Sequence, residues 1–482
     1  MASNRNRNNQ DLTSAIEEKL ASLVEQTVNE AYGLAGLAIG IVKDGAVLFA
    51  QGFGQRNLDT GEPVTAHSLF HLASVSKSFV ATAIMQLWEQ GRLDLDAPVT
   101  TYLPYFTLKG GDTGQITLRH LLSHTGGVPD PEEYAWHQPE YDDEALERYV
   151  RSLADEAMIA APGARYVYSN PAFDVLGDII AKVSGQSFEA YVKSHVFDPL
   201  GMTDSTFLRR EVSLDLATTP HFGAPLVVLA DAYPYNRAHA PSSTLHSSAT
   251  DMCRWMLANL AHGTLAGQRI LRETTYATLW NPVAVTGEEI WAEASCLGWF
   301  RGTYRDRPVI HHGGSDPGYF ADKVLMPAQQ LGVMVMANTY CASAWGVTDA
   351  ALDVMLGLDP TAPKRPITVP VGAVRAESGL DAAVAEFQRL QATAPDEYDF
   401  EEARFRDAIW GAVEMYRPET VMPLLELWAA LFPQSSEAHE WLGRAYLAQG
   451  EIALATASLQ QALALDPANE ALSQLLQKTN SG

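Results

Sequence analysis

The sequence has only three cysteines, Cys253, Cys296 and Cys341. The count is odd and the spacings fit neither a disulfide framework nor a metal-binding pattern. Ordinary core thiols in a reducing compartment are expected. Cations are scarce too: 33 lysines and arginines face 58 aspartates and glutamates, a net charge of −25. A surface this acidic repels phosphate backbones and anionic lipids, so no nucleic-acid or membrane partner is expected. Apolar runs such as Gly33 to Val42 and Leu331 to Ala337 are far too short to span a bilayer. The first ten residues are polar and lack the apolar stretch of a secretory signal, which predicts a disordered tail over 1–10 and a cytoplasmic location. Three common catalytic or nucleotide-binding signatures are also missing. No Gly-x-Ser-x-Gly elbow occurs, since Gly313-Gly314-Ser315-Asp316-Pro317 fails at its last position. Neither a phosphate-cradling loop nor a dinucleotide fingerprint is present.

At 482 residues the chain is too long for one compact domain. Leu12, Ile16, Leu20, Leu23, Val24 and Val28 recur at helical spacing, and Gly33 closes that helix. Two apolar runs follow, 35–42 and 46–50, parted by Lys43-Asp44-Gly45, a strong hairpin signal. A helix followed by a hairpin opens an α+β domain, not a doubly wound one. Residues 74–91 read as helix, and 105–285 as helices and loops. Trp299-Phe300, Val309-Ile310 and the stretch from Lys323 to Met336 read as returning strands. The sheet is therefore expected to come from both ends of this region, with a helical insertion between them. Four prolines between Leu358 and Pro370 suit an extended linker over 358–377. From 378 to 482 the pattern is all helical. Leu442, Gly443, Tyr446, Ala455, Leu459, Ala462 and Pro467 resemble one tetratricopeptide repeat, although His439 stands where tryptophan is usual. Pro433 precedes Pro467 by the 34 residues of that repeat, and the earlier copy is degenerate. An unrelated helical hairpin is the other reading of this segment.

Three short elements carry chemistry. The first is Ser74-Val75-Ser76-Lys77. On a helix, residues three apart share a face, and a lysine relieved of its charge by burial can take a serine proton. The same four residues also read as a helix cap with an exposed lysine. The second is Tyr168-Ser169-Asn170, whose phenol can shuttle a proton and whose amide can hold a lysine and a carbonyl. The third is His312-Gly313-Gly314-Ser315, where glycines after a strand let backbone approach a ligand, or simply make a turn. His120 and His124 have a zinc-like spacing, but no glutamate follows His120 and no third ligand is evident, so a packed or hydrogen-bonded pair is expected.

Together and in this order, 94 and 144 residues apart from Ser74 to Tyr168 to His312, the three elements resemble those of the class C β-lactamase-like serine hydrolases. That group includes D-alanyl-D-alanine carboxypeptidases, D-aminopeptidases and family VIII esterases. The segments 116–127, 197–202, 248–252 and 298–300 agree with it. The resemblance spans about residues 12–356. It implies an antiparallel sheet flanked by helices with a helical insertion, as a hydrolase domain over 11–357, followed by a small all-α domain over 378–482. It further implies Ser74 as the acylated nucleophile and Lys77 and Tyr168 as the base and proton relay, with either of them taking the proton. Asn170 would position Lys77 and substrate, supported by His312, Gly313 and Gly314. The N–H groups of Ser74 and Ser315 would form an oxyanion hole. No metal and no organic cofactor are implied.

The resemblance leaves the substrate open. His312 stands where β-lactamases of this group carry lysine, and a mostly neutral imidazole suits a substrate carboxylate poorly. A carboxylesterase on small neutral esters is therefore the leading expectation. A D-amino-acid peptidase or amidase comes next, then a weak β-lactamase or DD-peptidase. A non-catalytic adaptor that binds acylated ligands is the reading from another class, with the helical repeats serving a protein partner or self-association. His312→Lys should raise turnover of carboxylate-bearing acyl substrates relative to neutral esters; a fall in that ratio would contradict the charge argument.

Overall fold

The Asp44-Gly45 pair makes the tight turn expected of it, with φ of 51° and 84°. Strands β1 (Gly36–Lys43) and β2 (Ala46–Asn57) leave it as an antiparallel pair. The structure is a computed structural model and describes residues 12–481, except 15, 132–133, 229–232, 289–290, 416 and 418–419. The expected tail over 1–10 lies outside the described residues. After β3 (Glu62–Pro63) the chain leaves the sheet and does not rejoin it until β4 (Ala284–Val285) and β5 (Ala294–Ser295). Then come β6 (Phe300–Tyr304), β7 (Arg307–Asp316), β8 (Tyr319–Met326) and β9 (Leu331–Ala337). The stretch 323–336, one strand-like run in the sequence, is thus parts of β8 and β9 with a turn at Pro327–Gln329. The nine-stranded sheet runs β4-β5-β6-β7-β8-β9-β1-β2-β3, and its paired neighbours are antiparallel. It closes by pairing the first strand with the last, Leu37 opposite Ala337 and Lys43 opposite Leu331. Both ends of the region build the sheet, and residues 64–283 form the insertion.

β1, β8 and β9 are buried almost throughout, which explains why they read as continuous apolar runs instead of alternating ones. One face is covered by Ile16, Leu20 and Val24 near the N-terminus and by α4 (Ala342–Met355). The opposite face carries the larger core, built on α1 (Lys77–Glu89), α2 (Asn170–Ser184) and α3 (Ala249–Leu260). Phe79 of α1 stacks on Trp255 of α3 with ring centroids 3.9 Å apart, and Trp255 lies parallel to Trp299. All three rings are buried. The three cysteines are buried and unpaired.

The stretch 358–377 is only in part the extended linker expected. Residues 358–364 have no regular structure, but α5 (Thr368–Ser378) begins inside it. Pro370 falls in the first turn of α5, where its missing N–H costs no helical bond. The helices α6 (Leu380–Thr393), α7 (Ala403–Glu414), α8 (Met422–Leu431), α9 (Ser436–Ala448), α10 (Ile452–Leu465) and α11 (Glu470–Ser481) follow. Small residues let α9 and α10 approach: a Cβ on Gly443 would stand 2.7 Å from Leu459 Cγ. No described helix is long and apolar enough to cross a membrane. Trp255→Ala should destabilise the fold by about 3–5 kcal/mol, the usual cost of deleting a buried large aromatic; an unchanged urea midpoint would show that the stack under α1 is not a support.

Candidate active site

Ser74 lies in a 3-10 turn, Ala73–Ser76, one step before α1 begins at Lys77. The sequence places it at the helix start; the structure sets it in the tighter turn. Ala73 takes φ of 46°, a left-handed conformation that costs a non-glycine residue about 1 kcal/mol or more. Surrounding bonds hold the turn: Leu72 N–H donates to Leu245 O at 2.7 Å, and Leu245 N–H donates to Ser76 Oγ at 3.0 Å.

Lys77 is completely buried, and its ammonium has three acceptors. Nζ donates to Ser74 Oγ at 2.9 Å, to Ser242 O at 2.8 Å and, by a short bond, to Asn170 Oδ1. Burial lowers its pKa to about 8, against the opposing charges of Asp174, Asp130 and Asp316. The Tyr168 hydroxyl donates to Ser74 Oγ at 2.9 Å from the other side. Burial holds that phenol well above its ordinary pKa, so it stays protonated at neutral pH. Its ring stacks on buried His124 at 4.3 Å, and His124 Nδ1 accepts from Ser169 N–H at 3.1 Å. The two histidines with zinc-like spacing therefore do not share a helix face. His120 joins a capping box with Thr117 at the start of a short helix ending at Leu122, and His124 lies beyond it with φ of 56°.

The third element arrives on β7. A Cβ on Gly314 would meet Leu72 O at 2.5 Å and Ser74 N at 2.6 Å, so only glycine lets the strand lie against the serine turn. That approach sets the backbone leading to Ser315 beside Ser74 N–H. Gly313, next to it, is held in the β7–β8 register opposite Asp322. His312 is buried, 1% exposed, and its Nδ1–H donates to Gly313 O at 2.7 Å. Burial, with the nearby charges of Lys77 and Lys323, keeps its imidazole neutral. The neutral histidine expected from the sequence is present, but it is buried and is not among the residues that line the cavity.

The cavity beside Ser74 has a volume of about 260 Å³. Asn170, Ser315 and Trp136 face it, as do Asp130, Asp316, Tyr134 and Ser243. Trp136 is an aromatic of the wall, whereas Tyr233 and Tyr235 are not among the lining residues. Tyr233 bonds His246 Nε2 at 2.8 Å, and Tyr235 stacks on Tyr141. Several supporting residues escape sequence reasoning. Asp130 accepts from Asn170 N–H at 2.7 Å and from the Tyr134 hydroxyl at 2.7 Å. Asp316 joins His71 Nε2 at 2.6 Å and accepts a short bond from Ser243. Asp174 accepts from Ser242 N–H at 3.2 Å, fixing the carbonyl that Lys77 uses. Only Asp174 had a local signal, four residues after Asn170 and so on the same helical face. No cluster of metal-ligating side chains occurs among the described residues.

This constellation has relatives. A family model described as Beta-lactamase matches residues 16–344. Protein flp of Staphylococcus aureus (strain MW2) is 25% identical over 339 residues, covering 68% of this chain and 64% of that protein. Esterase EstB of Burkholderia gladioli is 33% identical over 229 residues, covering 44% of this chain and 56% of EstB. The chain thus spans less than two thirds of the length of these two curated relatives. The octameric penicillin-binding protein homologue from Pyrococcus abyssi superimposes with a TM-score of 0.61 at 28% identity, covering 73% of this chain and 78% of that one.

Gly314→Ala should push the serine turn off the strand and slow labelling of Ser74 by a fluorophosphonate probe roughly 100-fold, the scale of a misplacement near 1 Å. Labelling at the wild-type rate would show that this approach does not position Ser74.

Proposed function

The chain belongs to the Beta-lactamase family, and we propose that it is a serine hydrolase acting through an acyl-enzyme on Ser74, with small esters that lack a free carboxylate as substrates. The observation that carries this is Ser74 Oγ held at 2.9 Å from both Lys77 Nζ and Tyr168 Oη, at the edge of a cavity. The catalytic unit is residues 11–357, and the helices beyond 378 are a second unit.

Lys77 is the proton acceptor. With its pKa near 8, roughly a tenth of the molecules carry a neutral amine at pH 7. As Ser74 Oγ attacks the carbonyl carbon, its proton passes to Nζ, and the N–H groups of Ser74 and Ser315 receive the oxyanion. Tyr168, a protonated phenol, gives its proton to the departing alkoxide, and Lys77 restores it. Water then attacks the acyl-enzyme, and the same groups run in reverse. Asn170 holds Lys77 in line and is itself held by Asp130.

The preference for substrates without a carboxylate rests on the charges around the cavity. His312 is neutral, and the wall carries Asp130, Asp316 and Glu414 but no lysine or arginine among its described residues. An anionic substrate would meet repulsion from these carboxylates. EstB, an esterase by name, is the relative that supports ester chemistry.

The test is hydrolysis of p-nitrophenyl butyrate by wild type beside Ser74→Ala. Loss of kcat/KM on the order of 10⁴-fold in the variant is expected; equal turnover by both would remove Ser74 from the chemistry. The pH profile of kcat/KM should rise through a limb near pH 8 as Lys77 loses its proton. Asp130 raises the Lys77 pKa, so Asp130→Asn should move that limb to lower pH. A limb that stays in place or moves up would assign it to another group.

A further inference from the structure

Two wall residues of the cavity, Trp410 and Glu414, come from helix α7, far beyond the family match that ends at residue 344. They are four apart and so share one face of the helix. The opposite face anchors the helix: Phe405, Ile409 and Ala412 are buried in a core with Leu424, Leu425 and Trp428. That core also includes Trp136 and Phe222 of the insertion. Gly411 brings α7 onto the hydrolase region, since a Cβ there would lie 2.9 Å from Phe222 and 3.1 Å from the backbone N of Gly318. Gly318 belongs to the turn between β7 and β8, two residues after Asp316. Helix α7 therefore rests on the turn that ends the strand carrying Ser315. The Trp410 ring is braced by Tyr340, with centroids 5.0 Å apart.

Resting on the hydrolase reading above, we propose that α7 is the specificity wall of this site, and that Trp410 and Glu414 select esters or amides bearing a protonated amine. Glu414 occupies the last turn of α7, where the negative end of the helix dipole favours lysine or arginine over a carboxylate. Its carboxylate lines the cavity together with those of Asp130 and Asp316. An ammonium entering this space meets these carboxylates, and a flat indole is a surface on which a cation or an alkyl group packs. The chemical class is a small amine-bearing acyl compound, such as an amino-acid ester or amide.

The experiment compares kcat/KM of the full-length protein on alanine ethyl ester, ethyl propionate and monoethyl succinate by proton release. The expected order is cationic, neutral, anionic. Glu414→Gln should reduce the preference for alanine ethyl ester over ethyl propionate about five-fold, the scale of one partly screened ion pair. Glu414→Asp should restore most of it, and Glu451→Gln, on an exposed position beyond α9, should leave it unchanged. Trp410→Ala should raise KM for both the cationic and the neutral ester, with Trp410→Phe recovering most of the loss if the ring face is what matters. A wild type that hydrolyses these esters through Ser74 without favouring the cationic one overturns this inference alone, as does an unchanged preference in Glu414→Gln. Turnover that survives Ser74→Ala, or none of any ester by wild type, overturns the hydrolase reading with it.

Discussion

The burial of one lysine ammonium organises the site. An isolated charge taken from water costs several kcal/mol even after relaxation, so Lys77 can remain interior only where its three donors are met and opposite charge is near. Ser74, Asn170 and Ser242 supply the acceptors, and Asp174, Asp130 and Asp316 supply the field. Apart from Asn170 and Asp174, which share α2, these partners belong to different stretches of the chain. Meeting the needs of a single side chain therefore draws the serine turn, the start of α2, the loop near 130 and the short helix at Ala240–Ser243 to one point.

The same electrostatic balance sets the lysine's reactivity. Desolvation alone would strip its charge, and carboxylates alone would lock it as a cation. Acting against each other, they leave it titrating near neutrality, where a base is most useful. Tyr168 is perturbed in the opposite sense, because burial favours the neutral form of both groups: it lowers the pKa of an amine and raises that of a phenol. One environment thus favours a neutral amine and a protonated phenol on either side of a single hydroxyl.

Helix packing extends the site beyond the sheet region. Trp136, which lines the cavity, is also a member of the core formed by the C-terminal helices. Its ring stacks on Tyr134, which hydrogen-bonds both Asp130 and Asn170. The support of the reactive groups and the packing of the C-terminal helices are continuous through that pair of rings.

Much of this was legible in the sequence because it is local. The Asp-Gly hairpin, the apolar strand runs and the pairing of both ends of the region around an insertion follow from turn chemistry and periodicity. The candidate set Ser74, Lys77, Tyr168, Asn170 and His312 was legible through the family resemblance that the three short elements carry when taken in order. The parts that were not legible depend on distance in space. Nothing near Asp130, Asp316 or Ser242 in the chain marks them as partners of Lys77, because their roles exist only after segments distant in the chain are packed. The stretch around Pro370 shows the limit of composition, since a proline in a first turn is compatible with the helix it seemed to forbid. Residue chemistry and order along the chain determined which groups are candidates for the reaction and in which kind of fold. Tertiary packing decided which proton each group holds, which side chains line the cavity, and that a helix near the far end of the chain forms its wall, because desolvation and field depend on neighbours that only folding supplies.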